Sequence, residues 1–396
     1  MKHRCLIIGG GASGLMLAAR LNLQGEDCLI LEKTARIGTK LLMSGGGRCN
    51  ITHGGSIKDF IGCYGDAGRH LRKCLYRHSN IELASWLEDN GISLADEKGS
   101  PVDSWDISEA GRIFPASMKA SDVLSLLMDR ARQNGWDIRT ESGVYDIRYD
   151  DADGSWVVRS SDAEEYFAQS LVIASGGITY PETGSDGSVL DLLRSLGVNI
   201  CEPRSALAPV YIEDYPYEEL SGISLSDVTV TVTDPPEAAG EGAPTERTAF
   251  HSMTGDLLFT HRGFSGPVIL NISRYVRPGS LLKISYGRDW DNLPKRLQRI
   301  LEKRSRGPSG DIRTTVLAAL LASDEFTVAS IDDNGMVTAG GIALDEIDMP
   351  TMQLKRFPGL YAIGEAIDAD GITGGYNLQM CWSTAGTAAD ALSQKQ

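Results

Sequence analysis

The sequence predicts an α/β protein: a dinucleotide-binding domain interrupted in the chain by a mainly antiparallel insert. Three observations carry this. Met1 to Glu32 reads as a strand, a glycine-rich turn, a helix and a second strand ending in an acid. Glycine-rich segments return after about residue 331. Between these regions Val228, Val230 and Val232 alternate with Thr229, Thr231 and Thr233, the period-two pattern of a sheet with one wet face.

The N-terminal unit is the most specific. The apolar run Cys5 to Ile8 suits a buried parallel strand, and Gly9, Gly11 and Gly14 then form GxGxxG around Ala12 and Ser13. Gly9 allows a tight turn, Gly11 lets the backbone approach a pyrophosphate, and Gly14 lets helix and strand pack closely, while the helix N-terminus presents unpaired N–H groups to phosphate. Leu15 to Leu23 continues as an Ala-rich helix and Cys28 to Leu31 as a strand. Glu32 follows at the spacing at which a carboxylate accepts hydrogen bonds from an adenosine ribose. This motif alone does not distinguish FAD from NAD.

Further along, Leu83, Trp86 and Leu87 keep helical spacing, and Ala120 to Asn134 is an amphipathic helix. Short strands fill Trp136 to Gln169, and Leu171 to Ala174 is a buried strand running into Ser175, Gly176 and Gly177. Val189, Leu192, Leu193 and Leu196 mark a helix stopped by Gly197. Asp234 to Pro244 is expected to be a hairpin excursion, and Arg304 to Asp311 a flexible polar link. Lys295, Arg296, Arg299, Lys303, Arg304 and Arg306 read as the solvated face of a helix. The simplest topology joins 1–203 and 331–396 in one discontinuous domain, with 204–330 inserted.

With 42% apolar and 23% charged residues over 396 positions, the composition is that of a soluble globular protein. No run approaches the roughly 20 apolar residues of a membrane span, and the apolar piece after Arg4 is too short for a signal peptide, so a cytoplasmic location is expected. Lys plus Arg is 38 against 53 for Asp plus Glu, a formal charge of -15, which disfavours nucleic acid as a partner and leaves a small-molecule substrate. The seven cysteines are scattered, without a CxxC pair or histidines at metal-ligand spacing, so neither a disulfide framework nor a metal site is expected. Composition does not fix the oligomeric state.

Two more segments point to chemistry. Gly38, Thr39 and Lys40 lead to Ser44, Gly45, Gly46, Gly47, Arg48, Cys49 and Asn50. Consecutive glycines leave a bare backbone against which a flat ring can lie, or supply the dihedrals of a strained turn. Arg48 adds fixed charge, and beside it Cys49 is a candidate for a lowered pKa. Near the C-terminus, Leu360 to Ile363 reads as a strand entering Gly364 and Glu365, followed by Asp368; Gly374, Gly375, Tyr376, Asn377 and Leu378 open a helix. Glu365 or Asp368 could hold ribityl hydroxyls, and the helix N-terminus could face the pyrimidine edge of a flavin. Three glycine-rich segments from distant parts of the chain suit one long molecule, so FAD is preferred as the bound cofactor, with NAD(P)H docking transiently as reductant.

Glu32-Lys33, Ser44 to Asn50, Ser175-Gly176-Gly177, Phe259 to Pro267 and Gly374 to Asn377 together resemble the bacterial NAD(P)/FAD-dependent oxidoreductases of the BaiN/YhiN type, in the same order over nearly the whole chain. The resemblance implies a glutathione-reductase-like FAD domain and an inserted β-barrel with a small helical piece, and places Lys33 among the cofactor-binding residues; Val144 is also expected to bind the cofactor. The family commonly carries Asn where this chain has His53, and the helical part of the insert near 290–325 looks short. Reduction of an enone-like substrate by hydride relayed through flavin would need a proton donor, for which His261, Tyr376 and Tyr180 are candidates, with Ser265 capping a helix that begins at Pro267. An oxidase using dioxygen and a low-turnover flavin redox sensor are the alternatives.

Overall fold

A computed structural model describes residues 2–23, 25–233, 249–287, 290–306, 312 and 314–394. The chain divides into two compact units, Met1–Arg204 with Val337–Gln396, and Ser205–Met336. The second boundary lies at 337 rather than 331 because the turn after the last strand of the insert is tied back into it. There the Asp332 N–H donates to the Pro209 carbonyl (3.0 Å) and the Gly335 N–H to Ser205 Oγ (2.9 Å).

The first unit is built on a nine-stranded sheet. Its centre is parallel: Lys2–Ile8 lies between Cys28–Leu31 and Glu165–Ile173, which in turn pair with Trp136–Arg139 and Leu360–Ala362. Leu6, Ile7, Leu171 and Val172 are fully buried, the continuous apolar pattern of strands covered on both faces. Ala12–Arg20, Ala120–Gln133 and Tyr376–Ser393 are the main covering helices, and Ala18, Ala19, Ala385 and Ala388 are small enough for Ala12–Arg20 and Tyr376–Ser393 to pack closely. Val144–Asp150 and Ser155–Ser160 form a hairpin that adds antiparallel strands to Glu165–Ile173.

This order fixes where a ligand can lie. Four neighbouring parallel strands end at Ile8, Leu31, Ile173 and Ala362, and their carboxyl ends run into Gly9, Glu32, Ala174 to Gly177, and Ile363 to Glu365. The strand order reverses at Lys2–Ile8, and open α/β sheets bind ligands in the crevice at such a point.

The second unit is a closed six-stranded barrel of Val210–Ile212, Gly263–Ser265, Ala249–Phe259, Ser224–Thr233, Leu281–Ser285 and Asp324–Ile331, with helices Lys295–Ser305 and Thr314–Ala322. Val228, Val230 and Val232 point into its core. Thr229 and Thr231 lie on the other face, bonded to Thr254 (2.8 Å) and Ser252 (3.0 Å).

Two expectations are corrected in this unit. Ser265 does not cap the helix Pro267–Ile272: it is the last residue of a strand, and the N-cap is Gly266 at φ +87°. Arg304 belongs to neither a flexible link nor a solvated face. It ends the helix Lys295–Ser305 with its guanidinium on the fully buried Asp324, at 2.8 and 2.9 Å, while Lys295, Arg296, Arg299 and Lys303 are exposed. The expected excursion at 234–244 lies outside the described residues.

Candidate cofactor site

The three glycines of the first turn are glycines for different reasons. Gly9 has φ +107°, and a Cβ there would lie 2.8 Å from the Ala174 carbonyl carbon. A Cβ on Gly14 would run into the Gly9 carbonyl oxygen. Gly11 has φ −84°, open to any residue, and its Cβ would meet no atom within 4 Å. It is also the N-cap of Ala12–Arg20 and leaves that terminus without a side-chain cap, so the first N–H groups beside Ala12 and the buried Ser13 are available to an anion.

Glu32 is buried and held on both oxygens. Oε2 accepts from the Gly10 N–H (2.9 Å), and Oε1 from the N–H and hydroxyl of Thr34 (both 2.8 Å). Its carbonyl accepts from the Ser142 N–H (2.9 Å), which brings in the next segment. Lys33, Gly143, Val144, Tyr145, Ser161 and Ser188 line a cleft of about 490 Å³, and Lys33 forms an ion pair with Asp186.

The Ser44–Gly47 turn carries positive φ at Gly45, Gly46 and Gly47. A Cβ on Gly45 would lie 2.8 Å from the Asn50 nitrogen, whereas one on Gly46 meets nothing within 4 Å. Arg48 lies over the Phe114 ring, 4.8 Å from its centroid, and donates to the Gly45 carbonyl (3.3 Å). Cys49 is fully buried, and burial pushes its thiol up to about 12 against a smaller opposing hydrogen bond with Ser44. The expectation of a lowered pKa is therefore overturned. Desolvation disfavours the thiolate, and the neighbouring guanidinium is spent on a ring and a carbonyl.

The C-terminal segments close onto the first two. A Cβ on Gly364 would lie 2.8 Å from the Ser13 Cβ. Lys40 Nζ donates to Glu365 (2.7 Å) and to Thr179 (2.8 Å), and Glu365 Oε1 accepts from the Thr338 N–H (2.6 Å). Gly176 and Gly177 pack where a Cβ would meet Ser185 and Thr338, so Ser175 to Gly177 belongs to the same cluster. Asp368 is engaged differently: its N–H donates to the Ile342 carbonyl (2.8 Å), and its carboxylate, after burial, helps raise the Cys201 thiol to about 12. Of the two acids, Glu365 is the one joined to the glycine turns. Sequence reasoning missed Thr179, Ser185 and Thr338; the only signal was that Thr338 opens a glycine-rich run.

Asn50 joins the second block to the third, its amide donating to the Thr52 carbonyl (3.0 Å) and accepting from the Gly375 N–H (3.1 Å). Gly375, at φ +101°, is the uncapped N-cap of Tyr376–Ser393, and a Cβ there would lie 2.6 Å from the Thr52 carbonyl carbon. Asn377 closes its own loop by accepting from the Gly371 N–H (2.8 Å) and donating to the Gly371 carbonyl (2.9 Å), and Leu378 is half-buried beside it.

The three candidate proton donors do not share one environment. Tyr376 stacks on His53 with centroids 5.1 Å apart, and its hydroxyl is hydrogen-bonded to Cys63; burial, with that thiol, raises its pKa. Tyr180 is half-buried at φ +58°, with Lys40 Nζ 5.8 Å from its ring centroid. His261 is in the second unit, exposed in the turn between Ala249–Phe259 and Gly263–Ser265. His53, which the sequence marks only as a departure from a family pattern, is the imidazole that the first unit places among the glycine blocks.

These residues fit a dinucleotide. Two uncapped helix N-termini, two glycines whose Cβ positions open onto empty space, and a buried carboxylate after the second strand are arranged around the carboxyl ends of parallel strands. Over residues 3–391 the sequence matches the model of the HI0933-like protein Rossmann domain. The chain belongs to this family. Among curated HI0933-like relatives, the ribosomal RNA dihydrouridine synthase of Escherichia coli K12 is 28% identical over 98% of this chain and 97% of its own length. The 3-dehydro-bile acid delta(4,6)-reductase of Clostridium scindens is likewise 28% identical, over 99% and 100%. Among solved structures, the open conformation of a flavocytochrome c3 fumarate reductase aligns with a TM-score of 0.53 at 14% identity, covering 99% of this chain and 78% of that one. A 3-ketosteroid delta1-dehydrogenase from Sterolibacterium denitrificans aligns at 0.51 and 11%, covering both chains fully. Both share the fold of this HI0933-like chain. Among the described residues no helix is long and apolar enough to cross a membrane.

Proposed function

We propose that this protein is an FAD-dependent oxidoreductase that reduces a carbon–carbon double bond conjugated to a carbonyl group, with NAD(P)H as transient reductant. The observation that carries the reading is the convergence of three distant glycine blocks through Gly364 on Ser13, Lys40 on Glu365 and Asn50 on Gly375. One extended molecule would touch all three, and Gly11 and Gly46, whose Cβ positions meet no atom within 4 Å, leave it room.

The names of the relatives support the reaction class. A dihydrouridine differs from uridine by saturation of a ring double bond conjugated to a carbonyl, and the delta(4,6) bonds of a 3-keto steroid are conjugated in the same way. Two unlike substrates thus share hydride addition at one end of a polarised double bond and proton addition at the other. A small molecule is the substrate class proposed here, because a net charge of -15 repels a polyanion.

The backbone of Gly9 to Gly14 and the N–H groups at Ala12 and Ser13 would hold the pyrophosphate. Glu32 would accept from ribose hydroxyls, and Lys33 and Val144 line the cleft next to it. Lys40, Glu365 and Ser175 to Gly177 would hold the middle of the cofactor. The bare turn Gly46 to Asn50 and the helix N-terminus at Gly375 to Leu378 would lie against its ring, where the positive end of the helix dipole favours negative charge. When bound, FAD supplies the means to accept a hydride and pass it on.

The test is a visible spectrum of the purified protein, followed anaerobically with NADH and with NADPH, then with simple enones, 3-keto-steroid enones and ribosomal RNA. The proposal expects a yellow protein bleached by one nicotinamide and recoloured by an enone. Recolouring by RNA alone would reject the small-molecule part. Bleaching by neither nicotinamide would reject the reductase and turn attention to peroxide formation from amines or alcohols.

A further inference from the structure

We propose that His53 is a catalytic acid, giving a proton from Nε2 to the substrate as hydride adds to the far end of its double bond; the inference rests on the reductase reading above. Its ring Nδ1 lies 2.9 Å from the Gly54 carbonyl oxygen. A carbonyl can only accept, so Nδ1 carries the hydrogen, and in the neutral ring Nε2 is left as a lone pair able to take up and release a proton. Nε2 has no hydrogen-bond partner among the described residues.

The ring is held as a positioned acid should be. Asn80, itself fully buried, donates to the carbonyls of His53 and Gly55, both at 3.0 Å, and so pins the backbone on either side of Gly54. The imidazole stacks on Tyr376 at an interplanar angle of 15°, and a Cβ on Gly374 would lie 3.4 Å from its Cδ2. His53 thus lies against the same glycine-rich helix entrance that Asn50 ties to the second block. The ionisable groups around it leave this role open: the Tyr376 hydroxyl is hydrogen-bonded to Cys63, and Asp59 acts on it through its charge. Arg112, paired with His53 across the strands, is held by Glu97 at 3.1 Å. The step balances as hydride from reduced FAD to the β-carbon, the π electrons to the α-carbon or carbonyl oxygen, and the proton from Nε2 to that centre, with solvent restoring it.

The test uses the FAD-loaded protein and 4-nitrophenol, a stable mimic of the enolate that forms on hydride addition and whose phenolate is visible. At a pH where the free probe is mainly phenol, the wild type is expected to bind it with the phenolate spectrum, because the N–H on protonated Nε2 faces the anion as it would the enolate. H53Q and H53N are expected to retain FAD and its bleaching by NAD(P)H, to bind the probe at least tenfold more weakly at that pH, and to bind it better as pH rises. They should also slow recolouring by an enone by about 100-fold or more, the usual worth of a general acid. Failure of the wild type to bind the probe, or equal affinity and pH dependence in both variants, overturns the role of His53. Loss of FAD binding or bleaching in the wild type instead overturns the reductase reading.

Discussion

Gly11 and Gly9 stand two residues apart, yet replacing each by alanine should break different things. In Gly11→Ala the new methyl meets no atom within 4 Å, and φ −84° suits alanine. The cofactor-free protein should therefore keep its stability within about 0.5 kcal/mol, or gain slightly from a less flexible unfolded chain. In Gly9→Ala the methyl lies 2.8 Å from the Ala174 carbonyl carbon at φ +107°. About 1–2 kcal/mol of left-handed strain adds to overpacking of similar size, for a loss of about 3 kcal/mol. For FAD the order reverses in meaning: the Gly11 methyl would occupy space reserved for the pyrophosphate. Losing one or two charge-assisted hydrogen bonds costs about 3 kcal/mol, on the order of 100-fold in Kd. Urea unfolding of the FAD-stripped variants gives the first quantity, and FAD titration by fluorescence quenching the second. If Gly11→Ala binds FAD like the wild type, or unfolds as early as Gly9→Ala, the assignment of Gly11 to the phosphates is wrong.

Other residues give further tests. Asp324→Asn should destabilise the barrel by about 3 kcal/mol in urea unfolding, because it leaves Arg304 and the buried hydroxyls of Tyr217 and Tyr286 facing an amide in place of a carboxylate. Asp162 is raised by its burial but lowered further by hydrogen bonds from Ser160, Tyr166, the Glu164 N–H and Ser142, which hold it at about 2. Since its folded pKa lies below the unfolded value, its contribution is present above about pH 4 and fades as pH falls towards 2. It is exposed, so Asp162→Asn should cost no more than about 1 kcal/mol at pH 7 and close to nothing at pH 2. Cys49 should resist iodoacetamide at pH 8 in the folded protein and react only after unfolding, as read by peptide mass spectrometry; labelling in the native state would contradict its burial.

The first unit was legible because its signals are local. A parallel strand buried on both faces announces itself as an unbroken apolar run, and the turn at Gly9 needs glycine for a dihedral that few other residues adopt. Val228 to Thr233 showed a sheet with one wet face by alternation alone. That six strands close into a barrel came from the family resemblance, since no periodicity records which edges meet. The misreadings share a cause. Ser265 and Pro267 have the composition of a helix start, but Gly266 alone can hold φ +87°, so the cap moves by one residue. Arg304 sits in a run of cations that reads as solvated, and only the fold brings it to Asp324, twenty residues on and inside the barrel wall.

At the candidate site the residue types were readable and their partners were not. Asn50 and Asn377 look alike in sequence as amides at the ends of glycine blocks. The fold makes one a bridge between blocks and the other a clasp for its own loop, because Gly375 reaches Asn50 only after the C-terminal helix packs on Thr52. Lys40 and Glu365 are 325 residues apart and follow the strands Cys28–Leu31 and Leu360–Ala362, which the sheet places with Lys2–Ile8 and Glu165–Ile173 between them. His53 followed the same logic in reverse. Its neighbours in the chain gave it no chemistry, and its role depends on Asn80 and Tyr376, two residues that reach it from separate helices. A catalytic acid therefore becomes visible here through what immobilises it, since a ring pinned at Nδ1 and along one face has a single nitrogen left with which to act.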